Sequence, residues 1–519
     1  MRITIFSLAT AAFFVASVSA APIEKRAADN KLVIGYWVPW GDVPVSAVDM
    51  TKYTHINYGF GVLQKKLGDP AAIGFDRYYD GTPARELVKR GNQYGVPILI
   101  SLGGWTGSET FSTVVADPAL RKTFINNALL FVRKNTLGDN AATPNGWDMD
   151  GIDIDWEYPG RAGAPCNTYA PQDSANYLIL LKELRAQLDL EFPTNRKLIT
   201  AAVRTQPFDG SNGRPLSDVS AFAQYFDWIS IMAYDIHGTW GRTTGPNAPF
   251  GTPSPPGEPF SVVQSVNAWT AAGWPSSKLV VGTAFYGTSF TATVNMNTQN
   301  PITQYVPHTG SALMKREDGN MTANACAVAL ADVEGSTWRW KDIRANVLTG
   351  GPTTPAAGWT RHWDPESQTP WVFRASDKKF ISYDDVQSLS VKVNYVKQQN
   401  LRGVMMWEIS HDYNQELINT LNQVHCTTDC PTTTTTVTSV PTSTITTTIG
   451  TKTTTTVAPT TTSGPGNCSG VAAWSSSTVY ATSGTKVTHN GHLWTNQWWT
   501  QGETPSGSTW GVWKDGGVC

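Results

Sequence analysis

Short apolar runs recur along the chain at intervals filled by longer amphipathic stretches. Each run is of strand length, and most are rich in β-branched residues, a pattern that favours buried β-strands. Eight such runs occur before residue 411: KLVIGYW (31–37), YTHINYGF (53–60), VPILISLGG (96–104), GIDIDWE (151–157), KLITAAV (197–203), DWISIMAYD (227–235), KLVVGTAFYG (278–287) and RGVMMWEIS (402–410).

Stretches between these runs have helical periodicity. In SANYLILLKELRAQLDL, for example, Leu181, Leu184 and Leu188 fall on one face of a helix. Strands that alternate with helices over about 400 residues predict an α/β fold, a (β/α)8 TIM barrel. The seventh and eighth strands lie farther apart than one helix requires, so we expect an α+β insertion at about 288–382. Active sites of such barrels lie at the C-terminal ends of the strands.

Composition changes sharply after the last strand. Residues 426–466 are mostly Thr with Val, Ile, Ser and Pro, which is typical of an extended, O-glycosylated linker. An aggregation-prone β segment is the alternative interpretation. Residues 467–519 predict a small all-β module closed by a Cys468–Cys519 disulfide. The barrel domain, with its insertion, is then 27–425.

The N-terminus has the pattern of a secretory signal peptide over residues 1–20, with Arg2, an apolar stretch and small residues up to Ala20. Residues 21–26 end in a basic pair and form a candidate propeptide. We therefore expect a secreted, extracellular glycoprotein. Six cysteines fit an oxidising compartment, and the sequence leaves open how four of them pair: Cys166, Cys326, Cys426 and Cys430.

The net charge and the composition of the chain exclude several classes of binding partner. A formal net charge of -2 argues against a nucleic-acid-binding surface, which needs a basic excess. No segment after the signal is long and apolar enough for a bilayer span, and no Cys/His spacing resembles a zinc site. We therefore expect no nucleic acid, membrane, metal or cofactor. The 21 tryptophans suggest, beyond core packing, surfaces that stack on sugar rings.

The run DGIDIDWE concentrates acidic side chains on one face of a strand. Asp153, Asp155 and Glu157 alternate with apolar residues, so all three should point into the barrel. Close carboxylates cannot all ionise easily, so at least one pKa rises. Glu157 at the C-terminal tip is the natural general acid. A calcium-binding loop is the main alternative, but its acidic ligands and central Gly follow a different spacing along the chain. A purely structural role is the other alternative, but burying three carboxylates without partners would destabilise the fold.

These residues resemble the DGxDxDWE signature of glycoside hydrolase family 18, the chitinase family. Four further motifs agree with the resemblance in order: SLGGW (101–105), MAYD (232–235), AFYG (284–287) and MMWEIS (405–410). The resemblance extends from residue 31 to about 425 and is strongest to the subgroup with the inserted α+β domain. AWSSSTVYATSGTKVTHNGHLW and QWWTQG make the terminal segment similar to chitin-binding modules of carbohydrate-binding families 5 and 12.

The resemblance implies a role for each matching residue. Glu157 would donate the proton, Asp155 would stabilise the reacting acetamide with Asp153 behind it, and Tyr234 would hydrogen-bond the acetamido group. The implied substrate-binding residues are Tyr36, Trp105, Met232, Asp235, Trp240, Tyr286 and Trp407. Thr288 stands where many relatives have arginine, so one sugar contact is lost or is supplied elsewhere, for instance by Arg204.

Tryptophans of the terminal segment divide into two groups. We expect Trp474, Tyr480, Trp494 and Trp513 to form its core. The adjacent Trp498 and Trp499 are the candidate chitin-binding surface, because one of two neighbours on a strand must face outward. Burial of that residue at a domain contact is the alternative.

Together these features predict a secreted, monomeric chitinase. It would hydrolyse β-1,4 bonds between N-acetylglucosamine units of chitin and chitooligosaccharides by the retaining, substrate-assisted route that the family uses. One alternative is a chitin-binding, lectin-like protein without turnover, against which the intact acids argue. The other is an endo-β-N-acetylglucosaminidase on N-glycans, which the insertion and the terminal module disfavour.

Overall fold

A computed structural model describes the following parts of the chain: 31–75, 81–134, 146–254, 257–309, 336–426, 468, 470–476, 478–480, 484–496, 500–501, 504–505 and 513–519. These residues belong to two compact units that divide at residue 434. The predicted signal peptide, propeptide and nearly all of the linker lie outside the described residues, so they remain predictions.

Eight parallel strands close into a barrel, which confirms the predicted fold class. The strands of this sheet are β1 (Leu32–Trp37), β2 (His55–Val62), the short antiparallel β3 (Gly74–Phe75), β4 (Ile98–Gly103), β5 (Gly151–Asp155), β6 (Leu198–Val203), β7 (Trp228–Ile231), β8 (Leu279–Ala284) and β14 (Gly403–Trp407). Their order is β1-β14-β8-β7-β6-β5-β4-β2-β3, and β1 also pairs with β2 to close the ring. All eight predicted barrel strands are present.

The described helices surround the barrel, except for Trp340–Asn346, which belongs to the insertion. They are α1 (Thr82–Tyr94), α2 (Phe111–Ala116), α3 (Pro118–Val132), α4 (Asp173–Glu191), α5 (Ser220–Ala223), α6 (Val262–Ala271), α7 (Trp340–Asn346), α8 (Val386–Gln398) and α9 (Glu416–Leu421). The predicted apolar face of α4 is confirmed, since Leu181, Leu184 and Leu188 are fully buried. On the outer side of β5, Trp156 stacks on Phe111 of α2, with ring centroids 5.2 Å apart.

A second sheet interrupts the barrel between β8 and β14, as the sequence predicts. It is antiparallel, in the order β10-β9-β13-β12-β11, with strands β9 (Tyr286–Thr291), β10 (Thr337–Arg339), β11 (Trp359–Asp364), β12 (Thr369–Arg374) and β13 (Lys379–Ser382). The barrel strand ends at Ala284, so Tyr286 begins the inserted sheet rather than ending the barrel strand. Glu416 on α9 joins the insertion to the barrel, because it accepts hydrogen bonds from Trp340 and Arg344 of α7.

The terminal unit contains short antiparallel strands: β15 (Val479–Tyr480), β16 (Lys486–His489), β17 (His492–Asn496), β18 (Thr500–Gln501) and β19 (Trp513–Val518). The predicted Cys468–Cys519 disulfide is present. The predicted core is confirmed, since Tyr480, Trp494 and Trp513 are buried together and Trp474 packs against them. Trp498 and Trp499 lie outside the described residues.

Three further features concern the cysteines, the helices and the possible metal ligands of the described residues. Cys166 and Cys426 are each part of a disulfide, while Cys326 and Cys430 lie outside the described residues. Among the helices in the described ranges, none has the length and apolarity that a bilayer crossing requires. The same ranges contain no group of His, Cys, Asp and Glu side chains arranged to hold a metal ion.

Candidate active site

The two glycines of the SLGG run fix the backbone at the end of β5. Gly103 has a φ of 113°, and a Cβ atom there would lie 2.2 Å from the carbonyl oxygen of Asp155. The N–H of Gly104 donates to that same carbonyl at 2.8 Å. Only glycine allows both this conformation and this close approach. β4 therefore supports the point from which the acidic side chains project.

Asp153 lies deepest and is surrounded by hydroxyl groups. Its Oδ2 accepts hydrogen bonds from Tyr36 at 2.6 Å and Ser101 at 2.7 Å, and its Oδ1 accepts one from Thr200 at 2.5 Å. Burial raises the pKa of Asp153, while the three hydroxyls act to lower it. These hydroxyls, from β1, β4 and β6, replace the water that a buried carboxylate would lose.

Asp155 has a different environment one pleat above. Its Oδ1 is buried and accepts no hydrogen bond from any described residue. Burial, the neighbouring carboxylate of Glu157 and then that of Asp153 all raise the pKa of Asp155 well above its usual range. These surroundings favour the protonated form of Asp155 more than water does, and its Oδ1 is available to hydrogen-bond with a ligand.

Glu157 stands two residues beyond the end of β5, and neighbouring loops hold its backbone. Its N–H donates to the hydroxyl of Ser108 at 3.2 Å. Its carbonyl accepts from Nδ2 of Asn167 at 2.8 Å, and the same amide also donates to the carbonyl of Trp105 at 2.8 Å. Asn167 therefore couples the predicted acid to the loop that carries a predicted sugar-binding tryptophan. Sequence analysis identified neither Ser108 nor Asn167.

The Glu157 side chain is poised to act as an acid. Burial raises the pKa of Glu157 to about 7. The value of about 7 already includes two smaller contributions: a hydrogen bond with Tyr158, which lowers the pKa, and the carboxylate of Asp235, which raises it. A carboxyl group with a pKa near neutrality is protonated in part of the working range and can both give and take a proton.

Tyr234 and Asp235 follow β7, which is separated from β5 by β6 alone, and they act electrostatically on the acids. Tyr286 donates its hydroxyl to Oδ1 of Asp235 at 2.7 Å, and the rings of Tyr234 and Tyr286 are 6.2 Å apart. Burial and then the charge on Asp155 raise the pKa of Tyr234 well above its usual range, so its hydroxyl remains a donor. Met232 packs beside this group as a half-buried apolar side chain.

An aromatic surface extends from the centre of the barrel face. The ring of Trp407 stacks on Phe60, with centroids 5.6 Å apart and an interplanar angle of 18°. Trp40 continues the row, since its ring lies 6.2 Å from Phe60 and is 51% exposed. Tyr36 lies 5.4 Å from Trp407 but is only 1% exposed, and its hydroxyl is bound to Asp153. Tyr36 therefore supports the acids from below.

Trp40 and Phe60 are not among the site residues that the sequence motifs predict. Trp40 lies in the loop that follows β1, and Phe60 lies near the C-terminal end of β2; these positions were the available signal. Of the predicted stacking residues, Trp240 lies in the loop after β7 and is 40% exposed, and Trp105 is half-buried in the loop after β4.

The unusual Thr288 is buried rather than open to the groove. Its hydroxyl donates to Oδ1 of Asn247 at 3.4 Å. Arg204, the suggested substitute for an arginine at this position, donates instead to the carboxylate of Asp209 at 2.8 Å. Burial lowers the pKa of Arg204 to about 10. The guanidinium group of Arg204 is thus held by Asp209 of the same chain.

Buried carboxyl groups at the C-terminal face of a (β/α)8 barrel, beside a row of aromatic rings, are the arrangement of a carbohydrate-cleaving enzyme. The chain matches the family model described as glycosyl hydrolases family 18 over residues 32–412, and that of carbohydrate-binding module family 5/12 over residues 473–514. This protein belongs to glycosyl hydrolase family 18 and carries a carbohydrate-binding module of family 5/12.

Similar proteins have related names. A chitinase-like effector of Moniliophthora roreri is 32% identical over 398 residues, which cover 74% of this chain and 90% of that protein. Chitinase A1 of Niallia circulans is 29% identical over 462 residues, covering 78% of this chain and 60% of that protein. The crystal structure of a chitinase from Rhizomucor miehei is 30% identical, with a TM-score of 0.63 over 76% of this chain and all of that one.

Proposed function

We propose that this protein is a secreted chitinase that hydrolyses β-1,4 linkages between N-acetylglucosamine units with retention of anomeric configuration. The observation that carries the proposal is the pairing of Glu157, whose pKa is raised to about 7, with an Asp155 carboxyl whose pKa is raised well above its usual range by burial and by the Glu157 carboxylate. A carboxyl group that resists ionisation is a poor nucleophile and can instead hydrogen-bond to the substrate's acetamide. This favours a reaction in which the substrate supplies the nucleophile.

In the first step, Glu157 donates its proton to the glycosidic oxygen as the bond to the anomeric carbon breaks. The carbonyl oxygen of the substrate's own N-acetyl group attacks that carbon and forms a cyclic oxazolinium-type intermediate. The Tyr234 hydroxyl and the Asp155 carboxyl orient the acetamide, and Oδ1 of Asp155, to which no described residue donates, accepts the acetamide N–H as positive charge develops on the ring. Asp153, held by three hydroxyls, lies beneath Asp155.

In the second step, the Glu157 carboxylate takes a proton from water, which attacks the anomeric carbon and reopens the ring. Two displacements at the same carbon restore the starting configuration. Glu157 thereby returns to its protonated form. The near-neutral pKa suits this alternation, because neither proton transfer is strongly uphill.

Aromatic rings account for binding of the polymer. Trp407 and Phe60 form a stacked base, and Trp40 and Trp240 expose large parts of their rings. Apolar faces of pyranose rings pack on such surfaces, and their hydroxyls remain hydrated at the rim. We assign these side chains to successive sugar-binding positions along the groove.

Products and substrates test the mechanism directly. A time course of chitooligosaccharide cleavage, followed by proton NMR, should show the β-anomer of the new reducing end first. A fully deacetylated polymer should remain uncut, because it lacks the attacking carbonyl. A first-formed α-anomer, or efficient cleavage of the deacetylated polymer, would exclude the substrate-assisted route.

A binding protein without turnover is the second candidate. The similarity to a protein named a chitinase-like effector favours it. The intact Asp153, Asp155 and Glu157 favour the enzyme, since a lectin has no use for a buried acid with a near-neutral pKa. Release of fluorophore from a labelled chitooligosaccharide, compared with binding of the same oligosaccharide by calorimetry, separates the two functions.

A further inference from the structure

The loop between β7 and α6 contains a buried amide side chain that the sequence motifs do not include. Asn247 is 1% exposed. Its Oδ1 accepts from the backbone N–H of Asp235 at 3.2 Å and from the Thr288 hydroxyl at 3.4 Å, and its Nδ2 donates to the carbonyl of Tyr286 at 3.3 Å. One side chain thus bonds the backbones of both Asp235 and Tyr286, whose side chains bond each other at 2.7 Å.

The backbone around Asn247 is itself held by other elements. Its N–H donates to the hydroxyl of Ser382, the last residue of β13, at 2.5 Å. The next carbonyl, that of Ala248, accepts from Nζ of Lys392 on α8 at 2.8 Å. Lys392 is fully buried and paired with Asp384. The barrel loop, the inserted sheet and α8 therefore meet at residues 247–248, so the position of Asn247 is well determined.

Asp235 needs such support. It has a φ of 56°, a left-handed conformation that a residue other than glycine adopts at a cost of about 1 kcal/mol or more. Its carboxylate is one of the charges that act on Glu157. A small rotation of this residue would change the distance between the two carboxyl groups.

We propose that Asn247 is a positioning residue for the acid Glu157. By tying the first strand of the insertion, β9, to the end of β7, Asn247 holds the Asp235–Tyr286 pair and so fixes the Asp235 carboxyl relative to Glu157. Being buried, Asn247 does not touch the sugar. The role of Glu157 as the acid is taken from the proposed function, whereas the geometric coupling of Asn247 to Asp235 is independent of it.

Four titratable groups interact electrostatically with Glu157. These are Asp155 on β5, Tyr158 on the following loop, and Tyr234 and Asp235 after β7. Only the last of them is held by Asn247. When the amide is removed, the bonded pair of Asp235 and Tyr286 loses its side-chain anchor and can shift away from Glu157, so the repulsion from the Asp235 carboxyl weakens and the pKa of Glu157 falls.

Asn247→Ala tests this coupling by a readout that does not need turnover. Titration of the Glu157 carboxyl, isolated as the infrared difference between each protein and its Glu157→Gln counterpart, should move to lower pH by about 0.5–1 unit. On a chitooligosaccharide, kcat at pH 7 should fall about two- to fivefold, because a smaller fraction of Glu157 is protonated, while KM changes less than about twofold, since the stacking rings of the groove are unaffected.

Asn297→Ala is the matched control, because Asn297 lies in the insertion and makes side-chain hydrogen bonds of its own, to Thr360 and His362. It should leave the titration unchanged. Ser382→Ala removes only the backbone anchor of Asn247 and should shift the titration in the same direction by less; it decides the question if Asn247→Ala does not fold.

Three results would overturn the inference. The first is that Glu157 titrates at the wild-type pH in folded Asn247→Ala, and the second is that it does so in Ser382→Ala when Asn247→Ala is unfolded. The third is that Asn297→Ala shifts the Glu157 titration as much as Asn247→Ala does. Turnover of chitooligosaccharides by the wild-type protein is measured separately and tests the proposed function. If the wild-type protein shows no turnover, the proposed function fails, but the infrared titrations of the variants can still be compared.

Discussion

Three carboxyl groups on one short segment are in three different environments. Asp153 accepts three hydroxyl hydrogen bonds, Asp155 has a buried oxygen with no hydrogen-bond donor among the described residues, and Glu157 lies within reach of Tyr158 and Asp235. Because these environments differ, the groups hold protons with different strength. In the proposed mechanism, this separation allows Glu157 to transfer protons while the Asp155 carboxyl hydrogen-bonds to the substrate.

Glu157→Gln is expected to lower kcat by about a thousandfold or more, because the amide cannot donate a proton to the leaving oxygen. Oligosaccharide binding should persist, since the amide has nearly the same shape. Fluorogenic turnover and calorimetric binding measure the two effects. Turnover within tenfold of the wild type would show that another residue is the acid.

The same substitution is expected to stabilise the protein in a pH-dependent way. Burial raises the pKa of Glu157 from its ordinary 4.5 to about 7, so between these values the folded state keeps a proton that the unfolded state releases. Wild-type stability is therefore lost as pH rises through this window. Glutamine does not titrate, so Glu157→Gln should gain about 2–4 kcal/mol over the wild type between about pH 4 and pH 8.

Urea unfolding of both proteins at the two pH values measures this gain. Glu86→Gln on the exposed face of α1 is the control, and it should show no such trend. A stability difference between Glu157→Gln and the wild type that is the same at both pH values would contradict the raised pKa.

At the scale of elements, the insertion is joined to the barrel at both ends of the groove wall. Besides the contacts around residues 247–248, α7 is bound to α9 through Glu416, which accepts from Trp340 Nε1 at 3.1 Å and from Arg344 Nε at 2.8 Å. The two charged side chains are mostly buried. These contacts fix the orientation of a subdomain whose first strand supplies Tyr286.

Glu416→Ala is expected to destabilise the catalytic unit by about 2–3 kcal/mol, because Arg344 and the Trp340 N–H lose their partner in a mostly buried place. Thermal or urea unfolding measures the loss. Asp377→Ala, which removes an exposed ion pair with Arg374, is the control and should cost less than about 0.5 kcal/mol. Equal midpoints for the two variants would refute the anchoring role.

The whole molecule contains two units, and each matches a family model of its own. The terminal unit is closed by a disulfide and has a small aromatic core, and it matches a carbohydrate-binding module. A module of this size stabilised by a crosslink can fold without a large apolar interior. We propose that it holds the enzyme on insoluble chitin while the barrel cuts.

Replacing both Trp498 and Trp499 with alanine is expected to weaken adsorption to insoluble chitin by about tenfold or more, because stacking area is lost. Cleavage of soluble oligosaccharides should be unchanged. Depletion of protein from a chitin suspension measures adsorption, and Val518→Ala, an exposed apolar residue of β19, is the control. Unchanged adsorption would place the binding surface elsewhere on the module.

Local patterns in the sequence determined the strands, the face of α4 and the alternation of Asp153 and Asp155. These features depend on periodicity within a few residues, and a strand of period two must send alternate side chains to one side. Sequence also determined the class of the terminal unit and its disulfide, because a short segment between two cysteines offers few other ways to become stable.

Only the tertiary structure decided which residues support the acid. Ser108, Asn167 and Asn247 act on Glu157 or Asp235 across separations of 49, 10 and 12 residues along the chain. Trp40 joins the aromatic row because β1 and β2 lie side by side. No periodicity marks such positions. Hydrogen bonds and ring contacts between loops depend on where the closed barrel places the loop ends, and that placement comes from the packing of the whole chain.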